Sequence, residues 1–397
     1  MDYSEKRIFL TGSDGFLGRY LSRHLMLQGA EVYGLSRKNK LEPDFHYNSG
    51  IKVIKGDILN RENIDEAIHI SEPDIIIHLA AQSHVGASFS DPVQTCEINC
   101  TGTTTLLESV RDSNFDPLVI FPGSADEYGL VISSKQQYER ILSENRNVFP
   151  KPAKIPELPV SEQSPLRPMS PYGASKVYGD YLTRSFHHSY GMKTIVVRSF
   201  NIEGPGRGEQ FVTASLSKQV TECQKGGISS IRVGDVSVFR DFTHVSDAVE
   251  GYCRIMEKGQ FGEVYNLGSM RATSVLSYLL ISIKSAGYSI QNLSTLDGVF
   301  SLENPLSVKE MELYGVSGEY SLIDTIIATN VPLFTLQSGG IKVSTDKGNI
   351  PIYFDQERFR PSDNPFIVAD VEKLKEIGYT PLKSIQDIAA EQVWSYQ

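Results

Sequence analysis

The chain's first apolar run, Arg7–Thr11, ends in Thr11-Gly12-Ser13-Asp14-Gly15-Phe16-Leu17-Gly18, and helically spaced residues (Leu17, Tyr20, Leu21, His24, Leu25) follow at once. Glycines at this spacing allow a tight strand-to-helix turn, a close backbone approach to a pyrophosphate and close packing of helix on strand. The helix start then offers unpaired N–H groups and a partial positive charge to an anion. By itself a triple-glycine match is an ordinary turn. Its position in the chain's first strand–helix unit makes it a dinucleotide site. Cofactor contacts are therefore expected from Gly12, Gly15, Phe16, Leu17 and Gly18.

Further short apolar runs lie at Glu31–Leu35, Lys52–Ile54, Asp74–Leu79, Pro117–Phe121 and Thr194–Val197, most of them separated by helical patterns. Asp74-Ile75-Ile76-Ile77-His78-Leu79-Ala80 is almost continuously apolar, as in a strand buried on both faces. Such alternation implies α/β architecture, a Rossmann doubly wound parallel sheet with helices on both sides. After about Phe200 the pattern loosens, which places a smaller mixed α/β C-terminal substrate lobe there. The expected division gives 1–200, with about 232–262, to the NADP-binding domain, and 201–231 with 263–397 to the lobe. A helix is expected over Ser274–Ser285. Val331–Leu336, Ile341–Ser344 and Ile350–Phe354 read as an antiparallel meander turned by Ser338-Gly339-Gly340 and Asp346-Lys347-Gly348.

The second apolar run ends in Ser36-Arg37-Lys38. An acidic residue here would accept the ribose hydroxyls of NAD, whereas a hydroxyl and two cations suit the 2′-phosphate of NADP. NADP(H) is the expected cofactor, with NAD(H) and a plain solvated loop as the open alternatives. Asp57 is placed to cap the adenine amine or simply to close a turn.

Ser170-Pro171-Tyr172-Gly173-Ala174-Ser175-Lys176 reads as a helix start, with Ser170 as N-cap and Pro171 in the first turn. Tyr172 and Lys176 are one turn apart on one face. A neighbouring lysine is expected to lower the tyrosine's pKa and to reach the nicotinamide ribose. Such a pair occurs by chance on surface helices, so a hydroxyl elsewhere has to complete it. Ser124 supplies one, at the end of the run Pro117–Phe121, where ligands of a parallel sheet lie. Asp126 and Glu127 follow closely, and either is a candidate general base or a loop cap.

Taken together, Thr11–Gly18, His78-Leu79-Ala80-Ala81-Gln82, Asn99 with Gly102-Thr103, Ser124 and Tyr172/Lys176 resemble the extended short-chain dehydrogenase/reductase family. The resemblance implies cofactor contacts from Ile58, Leu79, Ala80, Ala81 and Asn99 as well, and a nucleotide-sugar held by the C-terminal lobe. Ala80–Val85 and Arg207–Thr213 are similar to GDP-mannose 4,6-dehydratases. Gly123–Gly129, Arg240-Asp241-Phe242-Thr243 and Arg358–Asp363 are similar to GDP-4-keto-6-deoxymannose reductases. These matches imply substrate contacts from Ser83, His84, Ser124, Asn201, Arg207, Val212, Arg240 and Arg360. Planar guanidinium groups at Arg240 and Arg360 also suit a bidentate pyrophosphate grip. The dehydratases carry a glutamate base where this chain has Asp126, which shifts the expectation toward C4 carbonyl reduction of a GDP-linked sugar. A 4,6-dehydratase or epimerase with recycled cofactor stays open, as does a cofactor-binding regulator without catalysis. Two segments are longer than the family's pattern, Leu130–Ile155 and Asn292–Asn349, and the second is expected to fold.

The formal charge of -10 over 397 residues argues against nucleic-acid polymers and anionic membranes as partners. It leaves room for a small anion held by local arginines. No apolar run approaches a membrane span and the N-terminus shows no signal peptide, so a cytoplasmic location is expected. The four cysteines, Cys96, Cys100, Cys223 and Cys253, form no C-x-x-C pair and read as buried thiols, with no metal site. A homodimer or homotetramer is the expected assembly.

Overall fold

The structure, a computed structural model, describes residues 3–37, 50–329, 339–359 and 364–397. Its strands begin β1 (Arg7–Thr11), β2 (Glu31–Ser36), β3 (Lys52–Lys55), β4 (Ile75–His78), β5 (Leu118–Ser124) and β6 (Thr194–Ser199). Three strands then leave this layer, β7 (Asn201–Glu203), β8 (Ile231–Val233) and β9 (Phe239–His244), before β10 (Val264–Leu267) returns to it. The resulting parallel sheet has seven strands in the order β10-β6-β5-β4-β1-β2-β3. Strand order reverses between β1 and β4, which opens a crevice beyond their carboxyl ends.

The apolar runs fit their places because successive side chains alternate between faces. Ile8 and Leu10 enter the core cluster on one side of β1, and Phe9 enters the cluster on the other, all three fully buried. Each such side chain contributes roughly 1.5–3 kcal/mol of transfer free energy.

The later strands are β11 (Ala272–Ser274), β12 (Ile290–Thr295), β13 (Ser301–Glu303), β14 (Val308–Leu313), β15 (Val316–Ser321), β16 (Gly340–Thr345) and β17 (Gly348–Phe354). They build a five-stranded sheet, β13-β12-β16-β17-β8, a three-stranded one, β11-β9-β7, and a separate β14–β15 hairpin. Helices Val212–Gln224, Val275–Ser285 and Ile385–Tyr396 pack together over this lobe's own apolar core.

Several expectations shift. The segment returning to the parallel sheet is helix Val245–Lys258 with β10, not 232–262, because β8 pairs with β17 in the lobe. Ile341–Ser344 and Ile350–Phe354 do form a hairpin, β16–β17, whereas Val331–Leu336 lies outside the described residues. Cys96 is exposed and Cys100 and Cys223 are half-buried, so only Cys253 fits the expected buried thiol. Among the described residues no helix is long and apolar enough to cross a membrane.

The segment after β5 folds around its own small core of Ile132, Ile141 and Val148, with helix Lys135–Ser143 capped by Ser134. Arg167 fastens it, bonding both Glu157 carboxylate oxygens (2.7 and 2.8 Å) and the carbonyls of Leu130 and Pro150.

Candidate active site

A cleft opens at the carboxyl ends of β1, β4, β5 and β6. Beside β1 the glycines are sterically required. Gly12 has φ +71°, and a Cβ there would lie 2.8 Å from the Ala80 nitrogen. A Cβ on Gly18 would stand 2.3 Å from the Gly12 carbonyl oxygen. Helix Phe16–Leu27 begins at Gly15 with no side-chain cap and no acidic residue in its first turn. The first N–H groups of a helix have no intrahelical partner, and Phe16, Leu17, Leu79 and Ala81 line the cleft wall beside this helix start.

The β4 end is held by His78, whose ring nitrogens meet Thr11 Oγ1 (2.8 Å) and Thr103 Oγ1 (3.0 Å). Burial pushes its pKa down to about 3, so it stays neutral. Thr11 Oγ1 also accepts the Ala80 N–H at 3.1 Å. These bonds keep Ala80 against Gly12, so Gly12→Ala is expected to weaken NADPH binding at least tenfold, measured by fluorescence titration. Unchanged affinity would show that the turn does not hold the cofactor.

Other expected cofactor residues sit differently. Ser36 is buried and Arg37 exposed at the end of β2, and Lys38 lies outside the described residues. The Asp57 carboxylate accepts the Leu59 N–H (3.0 Å), closing its own turn, and Ile58 is buried in the core. Asn99 spends its amide within the protein, accepting the Gln82 N–H (2.8 Å) and donating to Ser175 Oγ (2.8 Å). It thus ties the β4 loop to the tyrosine helix and does not line the cleft.

At the reacting end, helix Pro171–Tyr190 starts as expected, with Ser170 Oγ accepting the Gly173 N–H at 3.0 Å. Tyr172 and Lys176 line the cleft with Ser124 and Asp126. The expectation that Lys176 lowers the Tyr172 pKa is corrected. Lys176 Nζ donates to the Pro122 carbonyl (2.8 Å) and stands 6.0 Å from the Tyr172 ring centroid. Burial, reinforced by the Asp126 charge, raises the phenol's pKa, and the Ser124 hydroxyl opposes this only in part.

Of the two alternatives open for Glu127, the structure takes the loop cap. It is fully buried behind the strand and does not line the cleft, so Asp126 is the carboxylate that faces it.

Burial also pushes Lys176 down to about 8. An unfolded lysine keeps its proton to about 10.4, so between these values the unfolded state binds more protons and stability rises with pH. The burial penalty is fully present below the folded value. Lys176→Met is therefore expected to gain more in Tm, relative to the parent, near pH 7 than near pH 10. Equal differences in thermal melts at both values would contradict this.

Among the residues expected to hold substrate, Ser83, Asn201, Arg207 and Arg240 line the cleft. Arg207 stacks on Phe211, 3.4 Å from the ring centroid, and pairs with Glu203 at 3.7 Å. Arg240 commits one terminal nitrogen to the carbonyls of Phe239 and Asn364. His84 caps helix Val85–Ser90 instead of lining the cleft, and Val212 is exposed outside it. Arg360 lies outside the described residues. Sequence reasoning missed Phe200, Phe211, Tyr252, Asn364 and Ile367 in the wall. Phe211 was findable, as the apolar residue just before a helix start.

The family model described as GDP-mannose 4,6 dehydratase matches residues 9–309. A GDP-mannose 4,6-dehydratase of Yersinia enterocolitica is 26% identical, over 98% of this chain and 93% of its own length. A GDP-6-deoxy-D-mannose reductase of Pseudomonas aeruginosa is 30% identical, over 66% of this chain and 75% of its own. Among solved structures, RMD from Pseudomonas aeruginosa complexed with NADPH superposes with a TM-score of 0.67 at 22% identity, covering 98% of both chains.

Proposed function

Because the chain belongs to the GDP-mannose 4,6-dehydratase family of extended short-chain dehydrogenases/reductases, we propose that it reduces the C4 carbonyl of a GDP-linked 4-keto-6-deoxyhexose with NADPH. The observation that carries this reading is the convergence of Ser124, Tyr172 and Lys176 on one cleft, which equips it to orient a carbonyl oxygen and protonate it as hydride reaches C4.

The glycine turn and the uncapped start of helix Phe16–Leu27 fit a dinucleotide pyrophosphate, and Ser36 with Arg37 at the β2 end favour the phosphorylated cofactor. When bound, the nicotinamide supplies the hydride. Ser124 orients the sugar carbonyl by donating its hydroxyl hydrogen, and Tyr172 donates the proton to the same oxygen. The Lys176 ammonium, fixed by the Pro122 carbonyl, would hold the nicotinamide ribose with its remaining N–H groups. Arg207 and Arg240 in the cleft wall neutralise the substrate's phosphates.

The relatives include both reductases and dehydratases, and one observation favours the second reading: Asp126 lines the cleft where a dehydratase needs a base. Asp126→Asn separates the two. Reduction is expected to keep kcat within about threefold, whereas loss of a general base costs about a hundredfold or more. The direct test offers GDP-mannose alone and, separately, its 4-keto-6-deoxy derivative with NADPH. Loss of NADPH absorbance only in the second reaction supports the reductase. A product lighter by one water in the first, with no net cofactor use, supports the dehydratase.

A further inference from the structure

Glu127 is a buried acid that the proposed reaction leaves unused. Its Oε1 accepts the Ser124 N–H at 2.7 Å, while Ser124 Oγ accepts the Asp126 N–H at 3.1 Å. The two bonds form a reciprocal cap on the short turn Ala125–Glu127. The carboxylate reaches back over Gly123, where a Cβ would lie 2.4 Å from Oε1. Its Oε2 accepts no hydrogen bond and faces Arg198 Nε at 3.4 Å, and that same nitrogen bonds Asp180 at 2.9 Å.

We propose that Glu127 is a positioning residue for Ser124: its carboxylate fixes the serine's main chain from behind and so aims the hydroxyl into the cleft. The geometry separates this from a base role, since Glu127 is shut away from the cleft while it touches the serine directly. Arg198 does not depend on it, because Asp180 remains as its ion-pair partner. Glu127→Gln, which keeps the shape and an acceptor for the Ser124 N–H, should therefore leave the fold intact. Gly123 and Glu127 form one device, since any larger residue at 123 displaces the carboxylate.

The test is a double-mutant cycle on NADPH-dependent turnover, and this readout rests on the reductase reading. Glu127→Ala is expected to lower kcat about thirtyfold to a hundredfold, as a serine displaced by about 1 Å would. Glu127→Gln, which keeps an acceptor for the Ser124 N–H, is expected to stay within about threefold. In a Ser124→Ala background, Glu127→Ala is expected to cost less than about twofold more. A full additional cost there, or a Gln variant as impaired as Ala, would overturn the proposal. Amide hydrogen exchange at Ser124 gives a second readout that needs no substrate. Protection is expected to be lost in Glu127→Ala and kept in Glu127→Gln, and unchanged protection in the Ala variant would likewise overturn it. If the unsubstituted protein shows no turnover, the reductase reading alone fails, and amide exchange still decides the role of Glu127.

Discussion

Tyr172→Phe is expected to lower kcat about a thousandfold while leaving KM and NADPH affinity within about threefold. The ring is almost fully buried at the start of helix Pro171–Tyr190, so phenylalanine fills the same space and the packing survives. What is lost is the hydroxyl that carries the proton to the carbonyl oxygen. Steady-state loss of NADPH absorbance measures the effect, and a thermal melt shows that the fold is intact. A loss under tenfold would mean that another group supplies the proton.

Arg167→Met is expected to destabilise the protein by about 3–5 kcal/mol, the usual consequence of removing one partner from a buried ion pair. Here both carboxylate oxygens of Glu157 are held by Arg167, and both residues are buried. The variant leaves the Glu157 charge uncompensated and also frees the carbonyls of Leu130 and Pro150. Damage should start in the segment around helix Lys135–Ser143, where limited proteolysis is expected to cut first. Adding Glu157→Gln should recover part of the loss, because the stranded charge is then gone. The effect should extend to activity, since Gly129, which lines the cleft, packs its backbone against the Arg167 carbonyl. A denaturation midpoint like the parent's would show that the ion pair does not anchor this segment.

What could be read from the sequence was local. The glycine turn, the doubly buried strands and the Ser170 cap each depend on residues within a few positions of one another. Their signals survive without knowledge of the rest of the chain. Which of Asp126 and Glu127 is the cap stayed open because adjacent loop residues can face opposite ways, and only the reciprocal bond to Ser124 decides which does. Tyr172 was misjudged because its proton affinity follows from burial by distant elements, not from the lysine one turn away.

The lobe was harder still. β8 finds β17 across more than a hundred residues, and no periodicity announces such a pairing. The β14–β15 hairpin carries mostly exposed Lys, Glu and Ser side chains on β14 and the start of β15, so its alternation of apolar and polar residues is weak. Among the cleft residues, Asn364 was invisible for a different reason. Its role is to bond the Gly129 carbonyl and to offer its own carbonyl to Arg240, neither of which a motif encodes.

The central claim is that hydride goes to C4 of a 4-keto sugar and is not returned. NADPH deuterated at the transferred position, supplied with the GDP-linked 4-keto-6-deoxyhexose, tests it most directly. The account predicts one deuterium at C4 of the product for each NADPH oxidised. A product without deuterium at C4, together with conversion of GDP-mannose to a species lighter by one water, would contradict it.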